Sequence, residues 1–400
     1  MTASIPKRFY SLDLIRGLAA LAVVFWHWQH FFYAGSTFMP YEMEAQPFYS
    51  VFYLLYHTGW LAVDFFFSLS GFIFFWLYAE QIAERKVSAW QFFALRFSRL
   101  YPLHFATLVF VLLAQKWVMA STGDYFVVPF NDTYHFVLNL FMASSWGLEQ
   151  GPSFNGPVWS VSVEVLMYLL FFTVCLLFRL RLQAVLAMIV VGLLVLTVAP
   201  ILGRGIFSFF LGGAIFRFYR YLCQQGLLNK ALPIVLGLTG ALWLATLVEV
   251  KTGWLWGHVQ LLLEGLLPAH LHPLIGKAIH AASRFIPVAL LFPLTILSLA
   301  LAETWRGYLG RRFAMVGNLT YSSYLLHFPL QLVVFEVTRY MGIANSFFYH
   351  PLSMIMFFVL LIPICLLSYY YFETPAQKHV RAFMLNAANK QKTVAGTQNG

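Results

Sequence analysis

Apolar runs of about 20 residues, the length a helix needs to cross a bilayer, recur along the whole chain and are separated by short polar clusters. Ten such runs can be drawn, at about 11–33, 57–78, 100–120, 157–178, 183–202, 205–222, 232–249, 285–303, 318–338 and 351–372. The fifth and sixth are separated only by Pro200 and the Gly203-Arg204-Gly205 triplet. Three longer polar stretches, 34–56, 121–156 and 250–284, read as loops, the middle one carrying a short amphipathic piece from Thr133 to Ala143. The pattern predicts an all-α, polytopic transmembrane bundle of about ten spans. It divides the chain into a short N-terminal segment (1–10), a membrane domain (11–375) and a polar tail (376–400), disordered from about Ala387. No internal repeat is evident.

Composition agrees. Sixty per cent of residues are hydrophobic and 10% charged, against about 25% charged in an average soluble domain. The net charge of +10 does not indicate nucleic-acid binding, because the basic residues sit in small groups at the ends of apolar runs. One set of ends carries Lys7, Arg8, Arg85, Lys86, Arg96, Arg99, Arg179, Arg181, Arg217, Arg220, Lys230, Arg306, Arg311, Arg312, Lys378, Arg381, Lys390 and Lys392; the other carries only Lys116, Arg204, Lys251, Lys277, Arg284 and Arg339. The positive-inside rule then places both termini in the cytoplasm of a protein that crosses its membrane many times. The first run is too long and too charged for a cleaved signal peptide. Cys175, Cys223 and Cys365 lie far apart and support neither a disulfide framework nor a metal site. His258, His270, His272 and His280 match no metal-ligand spacing, so no metal is expected.

Ionisable residues inside apolar runs are costly and mark function. The first run, SLDLIRGLAALAVVFWHWQHFF, holds Arg16 and His27. On an unbroken α-helix these are about three turns apart and offset by only about 20°, so they line one face at two depths, with Asp13 near the same stripe. His30, one turn further out, is expected to be a bystander. The second run carries His57 at its entrance, Asp64 inside it and a Ser70-Gly71 pair suited to close helix packing. Arg16, His27 and His57 are candidate partners for Asp64. Arg96 and Arg99 open the third run, three apart on one helical face. They read either as a positive anchor or as a bidentate grip on phosphate. Ser160, Glu164 and Tyr168 form a stripe on the fourth run, and Ser323 and His327 a four-residue pair on the ninth. Glu373 reads as a cap or an ion-pair partner for the tail.

Six motifs in order, LDLIRGLAALAVVFWH, GWLAVDFFFSLSGFIF, RFSRLYPLHF, GPVWSVSVEVLMYLLFF, NLTYSSYLLHFPL and YYYFETP, resemble the acyltransferase type 3 membrane enzymes of the bacterial O-antigen acetylase kind over residues 10–375. The resemblance implies ten helices and transfer of an acyl group, usually acetyl, from acetyl-CoA or another acyl-CoA to a carbohydrate or glycolipid acceptor. It implies a catalytic role for His27, with Arg16 as its first-helix companion, and puts Arg96 and Arg99 at the donor. Asp64, Ser70, Glu164 and His327 match recurrent positions without settled roles. The short tail implies a stand-alone form without an esterase-like domain. An imidazole near neutral pH serves as a general base for a hydroxyl or as a nucleophile that takes the acyl group; both stay open, with Asp64 or Glu164 as candidates to orient the ring. The alternative is a proton-coupled exporter of a lipid or glycan, which intramembrane charges also suit.

Overall fold

The computed structural model describes residues 5–179 and 181–397, with side chains as far as 386. Seventeen α-helices run through the described residues: α1 (Tyr10–Trp26), α2 (Tyr49–Thr58), α3 (Ala62–Leu77), α4 (Ala79–Ala83), α5 (Ala89–Thr122), α6 (Thr133–Leu140), α7 (Val158–Phe178), α8 (Leu182–Leu196), α9 (Pro200–Gln224), α10 (Leu228–Thr252), α11 (Trp254–Leu266), α12 (His272–Ile286), α13 (Phe292–Arg306), α14 (Ala314–Asn318), α15 (Thr320–Tyr340), α16 (Pro351–Leu367) and α17 (Thr374–Thr397). A two-stranded hairpin, β1 (Tyr33–Ala34) and β2 (Thr37–Phe38), follows the first helix. The chain forms two compact units: residues 1–26, 49–77 and 181–317 make the first, and residues 27–48, 78–180 and 318–400 the second.

In the first unit α3 packs along α9, and the contact depends on glycine. A Cβ on Gly71 would strike the Phe209 carbonyl oxygen, and one on Gly212 the Ser68 carbonyl oxygen. Small residues let backbones approach where lipid supplies no hydrophobic drive. The N-terminus of α1 is held by Glu303 of α13, whose carboxylate accepts from Tyr10 N (2.8 Å), Ser11 N (2.9 Å) and Ser11 Oγ (2.6 Å). This satisfies amides that a helix start leaves without partners and sets a negative charge on the positive end of the dipole.

In the second unit α15 packs against α5 and α16. Its Phe328 and Leu332 join Leu108, Val111, Val118, Phe126, Val128 and Phe154 in one buried cluster. The 34-residue α5 starts in a capping box between Ser88 and Gln91. Beyond its end, Asp124 accepts from Ser36 N (3.0 Å) and Tyr125 N (2.7 Å), tying the hairpin turn to the following loop. The Ser36 amide is the main reason its carboxyl stays below the usual carboxylate range.

Several expectations change. Among the described residues, eight of the ten expected spans fall on helices long and apolar enough to cross a membrane. Of the other two expected spans, α8 is apolar but only 15 residues long. The other, α15, has 21 residues, with His327, Gln331, Glu336 and Arg339 among them. The stretch 250–284 is not a loop: it contains α11 and α12, and Ile275 and Ile279 of α12 are buried one turn apart. An amphipathic helix of this length offers no 20-residue apolar run, so a search for spans passes over it. It joins α13 through the π-helical turn Pro287–Leu291 in a continuous helical region, Ala269–Arg306. The polar tail remains helical to Thr397; its Ala, Leu, Met, Gln, Lys and Arg are good helix formers. The expected disorder at 398–400 lies outside the described residues.

Candidate functional site

The site is built where the first apolar run changes its winding. α1 ends at Trp26, and a 3-10 stretch, His27–Phe32, follows. The α-helical extrapolation from Arg16 therefore stops at His27, and each residue has partners within its own unit. Trp28 anchors the 3-10 stretch by donating to the Phe348 carbonyl at 2.9 Å. His27, half-buried, places Nδ1 2.8 Å from Nε2 of His327, with the rings 5.0 Å apart and 13° from parallel. His327 is completely buried and sets its own Nδ1 3.0 Å from the Ser323 carbonyl oxygen. On the other side of His27 the His30 ring stacks at 4.6 Å. His30 Nδ1 lies 3.1 Å from Gln331 Oε1, and Gln331 Nε2 donates to the His27 carbonyl at 2.9 Å.

Three residues four apart on α15, Ser323, His327 and Gln331, thus serve the His27 turn. Spacing found the first two; the bond, however, is to the Ser323 carbonyl, while the Ser323 hydroxyl donates to Thr320 O at 3.1 Å. Gln331 was legible as the next step of that period. Gln331 also joins the His30 ring to the His27 backbone.

The Glu164 carboxylate accepts from Tyr168 Oη at 2.7 Å, and the His27 ring is hydrogen-bonded to His327. The stripe on α7 continues with Ser160, hydrogen-bonded to Tyr324 Oη at 2.5 Å. At the start of α5 the Arg96 guanidinium donates to Tyr78 Oη at 2.5 Å and lies 4.9 Å from the centre of that ring. Arg99 is exposed and within electrostatic reach of Tyr168, Tyr321 and Glu373. Glu373 ends a π-helical turn and accepts from Ser322 and Ser368, more than a simple cap.

In the first unit Asp64 is paired with Arg204, a partner that sequence did not propose: Nε to Oδ1 is 3.0 Å and Nη2 to Oδ2 is 2.6 Å. The Arg204 and Arg284 guanidiniums each lie 5.2 Å from the centre of the Trp60 ring. Arg204 read as a linker between two runs, but it lies in the first turns of α9. Arg16 pairs with Asp13 at 3.1 Å and donates to the Gly317 carbonyl at 3.0 Å. His57 is exposed and bonds Tyr49 Oη at 2.9 Å. Ser70 lies on α3 beside the glycine contact and is half-buried.

Residues 9–373 match the family described as an acyltransferase domain. The chain belongs to that family. The match begins before Arg16, contains His27, Asp64, Arg96, Arg99, Glu164 and His327, and ends at Glu373. Among curated relatives, the chain is similar to Protein 2 in the picA locus of Rhizobium radiobacter, 34% identical over 118 residues, which cover 30% of this chain and 50% of that protein. It is also similar to the acyltransferase MdmB of Streptomyces mycarofaciens, 32% identical over 174 residues, which cover 41% of this chain and 38% of that protein. These alignments thus span half or less of the length of each relative. No solved structure matches.

Proposed function

We propose that this family member is a membrane O-acyltransferase of the inner membrane. In this reading it moves an acyl group, acetyl first among them, from cytoplasmic acyl-CoA to a hydroxyl of a cell-surface or exported carbohydrate or glycolipid. The observation that carries the reading is the half-buried His27 imidazole, tied through Nδ1 to the wholly buried His327 within a membrane-spanning helical region. A neutral imidazole held in this way accepts a hydroxyl proton in the transition state.

The donor end is Arg96 and Arg99. Arg96 is fixed by Tyr78, and the exposed Arg99 is available to the phosphates of CoA. Purified protein in liposomes, given labelled acetyl-CoA and a mixed envelope-glycan acceptor, should release CoA and label the acceptor. Absence of both with every acyl-CoA tested would overturn the reading. In the same assay Arg99→Ala should raise the donor KM by about 10- to 100-fold, the worth of one hydrogen bond to a charged group. An unchanged KM would make Arg99 a topology anchor only.

The reading needs an inner donor and an outer acceptor. Membrane-impermeant thiol reagents should therefore label Glu44→Cys, Gln150→Cys and Thr252→Cys from outside, and Lys86→Cys, Gln225→Cys and Arg311→Cys only after permeabilisation. The three native cysteines are buried and free, and give a quiet background. Reversed labelling at two or more sites would reject the orientation.

A further inference from the structure

The hydrogen-bond partners around His27 leave one arrangement of protons. The Ser323 carbonyl oxygen only accepts, so the Nδ1 of His327 facing it carries a hydrogen. A neutral His327 then presents Nε2 as a lone pair. His27 Nδ1, 2.8 Å from that lone pair, must be the donor. A neutral His27 is left with its Nε2 unprotonated, and this nitrogen is not among the buried polar atoms lacking a partner. The second side of the cluster reaches the same kind of result independently. The His27 carbonyl only accepts, so Gln331 presents its NH2 there and its Oε1 to His30, which makes His30 Nδ1 a donor. The backbone of His27 and the plane of its ring are thus both held from α15.

We propose that His327 is the positioning residue of the transfer reaction: it holds His27 in the tautomer whose Nε2 is a base, and it shares the proton that Nε2 takes up. The inference rests on the acyltransferase reading. The acceptor O–H proton passes to His27 Nε2, and the oxygen electron pair forms the new C–O bond at the thioester carbonyl. The C–S bond breaks with its electron pair on sulfur, and the proton on Nε2 is delivered to that thiolate, leaving His27 as it began. Between these two transfers the ring would be a half-buried imidazolium. Its Nδ1–H is hydrogen-bonded to His327 Nε2 across 2.8 Å, so the proton can move across and the charge spreads over two rings, with the Ser323 carbonyl facing the far N–H. A neutral imidazole here takes the orienting place that a carboxylate holds in other triads. It does so without burying a permanent negative charge in the membrane interior.

Two substitutions separate this role from simple packing. His327→Gln keeps an acceptor oxygen for His27 Nδ1–H but cannot take the proton, and should lower kcat about 10-fold. His327→Phe keeps bulk but offers no acceptor, and should lower kcat about 100- to 1,000-fold, within the range for lost general-base action. The donor KM should stay within about twofold of the parent in both, since Arg96 and Arg99 are untouched. His327→Phe within about threefold of the parental kcat would overturn the proposal, as would equal losses in both variants with a raised donor KM. Should His327→Phe fail to fold, the parent itself decides. In enzyme labelled with 15N-histidine, the His27 signals, assigned by their loss in His27→Gln, should show Nδ1 protonated and Nε2 bare; the opposite tautomer overturns the proposal. Failure of the underlying reading looks different: there His27→Gln itself would remain active. A dead His27→Gln beside a fully active His327→Phe rejects only the role given to His327.

Discussion

His27→Ala should fold, bind acyl-CoA near normally and transfer acyl groups at or below about 1% of the parental rate, because general-base action is typically worth about 10²–10⁴ in rate. The residue contributes at two levels. In the proposed mechanism its ring offers the reacting nitrogen, while its backbone carbonyl accepts from Gln331. Alanine removes only the first, so the 3-10 stretch should keep its anchor through Trp28 and Phe348. His27→Gln retains polarity but takes up no proton, and should be equally inactive. Steady-state transfer in liposomes, read beside acyl-CoA binding, checks both variants. A folded His27→Ala protein that keeps a tenth of the parental rate would remove His27 from the mechanism.

The second large effect concerns stability. Arg204→Met should destabilise the protein by about 3–5 kcal/mol, the usual cost of stranding one member of a buried ion pair. The Asp64 side chain is 1% exposed and receives both of the bonds that Arg204 makes to it. Arg204 is 24% exposed and also lies over Trp60, so methionine replaces its packing in part. The double variant Asp64→Leu/Arg204→Met should recover most of the loss, because replacing a whole buried pair with apolar side chains is often neutral. Unfolding in mixed micelles, followed by the thiol reactivity of the three buried cysteines, measures all three proteins. A loss below about 1 kcal/mol for Arg204→Met would class the pair with exposed ion pairs.

Much of the candidate site was legible because its chemistry is expensive to place in a membrane. His27, Asp64, Glu164 and His327 stand out from the apolar runs that surround them, and Arg96 and Arg99 mark the start of a long helix. Four-residue spacing on one helix was equally readable: it grouped Ser323 with His327, and one more step reaches Gln331. The elements harder to read have a shorter or mixed pattern. α12 is amphipathic, α8 has 15 residues, and α15 carries polar groups on a buried face.

By itself the sequence determined the class: apolar runs at bilayer length, together with few charges, leave helices as the structure that satisfies its own backbone in lipid. It also determined which side chains have to be explained. Only the tertiary structure decided their partners. His27 meets His327 across 300 positions of sequence, and Asp64 meets Arg204 across 140. Periodicity along one helix says which face a residue occupies, but not which other helix will lie against that face. That choice depends on interdigitating shapes, such as the glycine contact of α3 with α9, and on most buried polar groups finding a hydrogen-bond partner. The same reason explains why a carboxylate was expected beside His27 and a second imidazole was found. Both can orient the ring, and the packing of α15 against the turn after α1 selects between them.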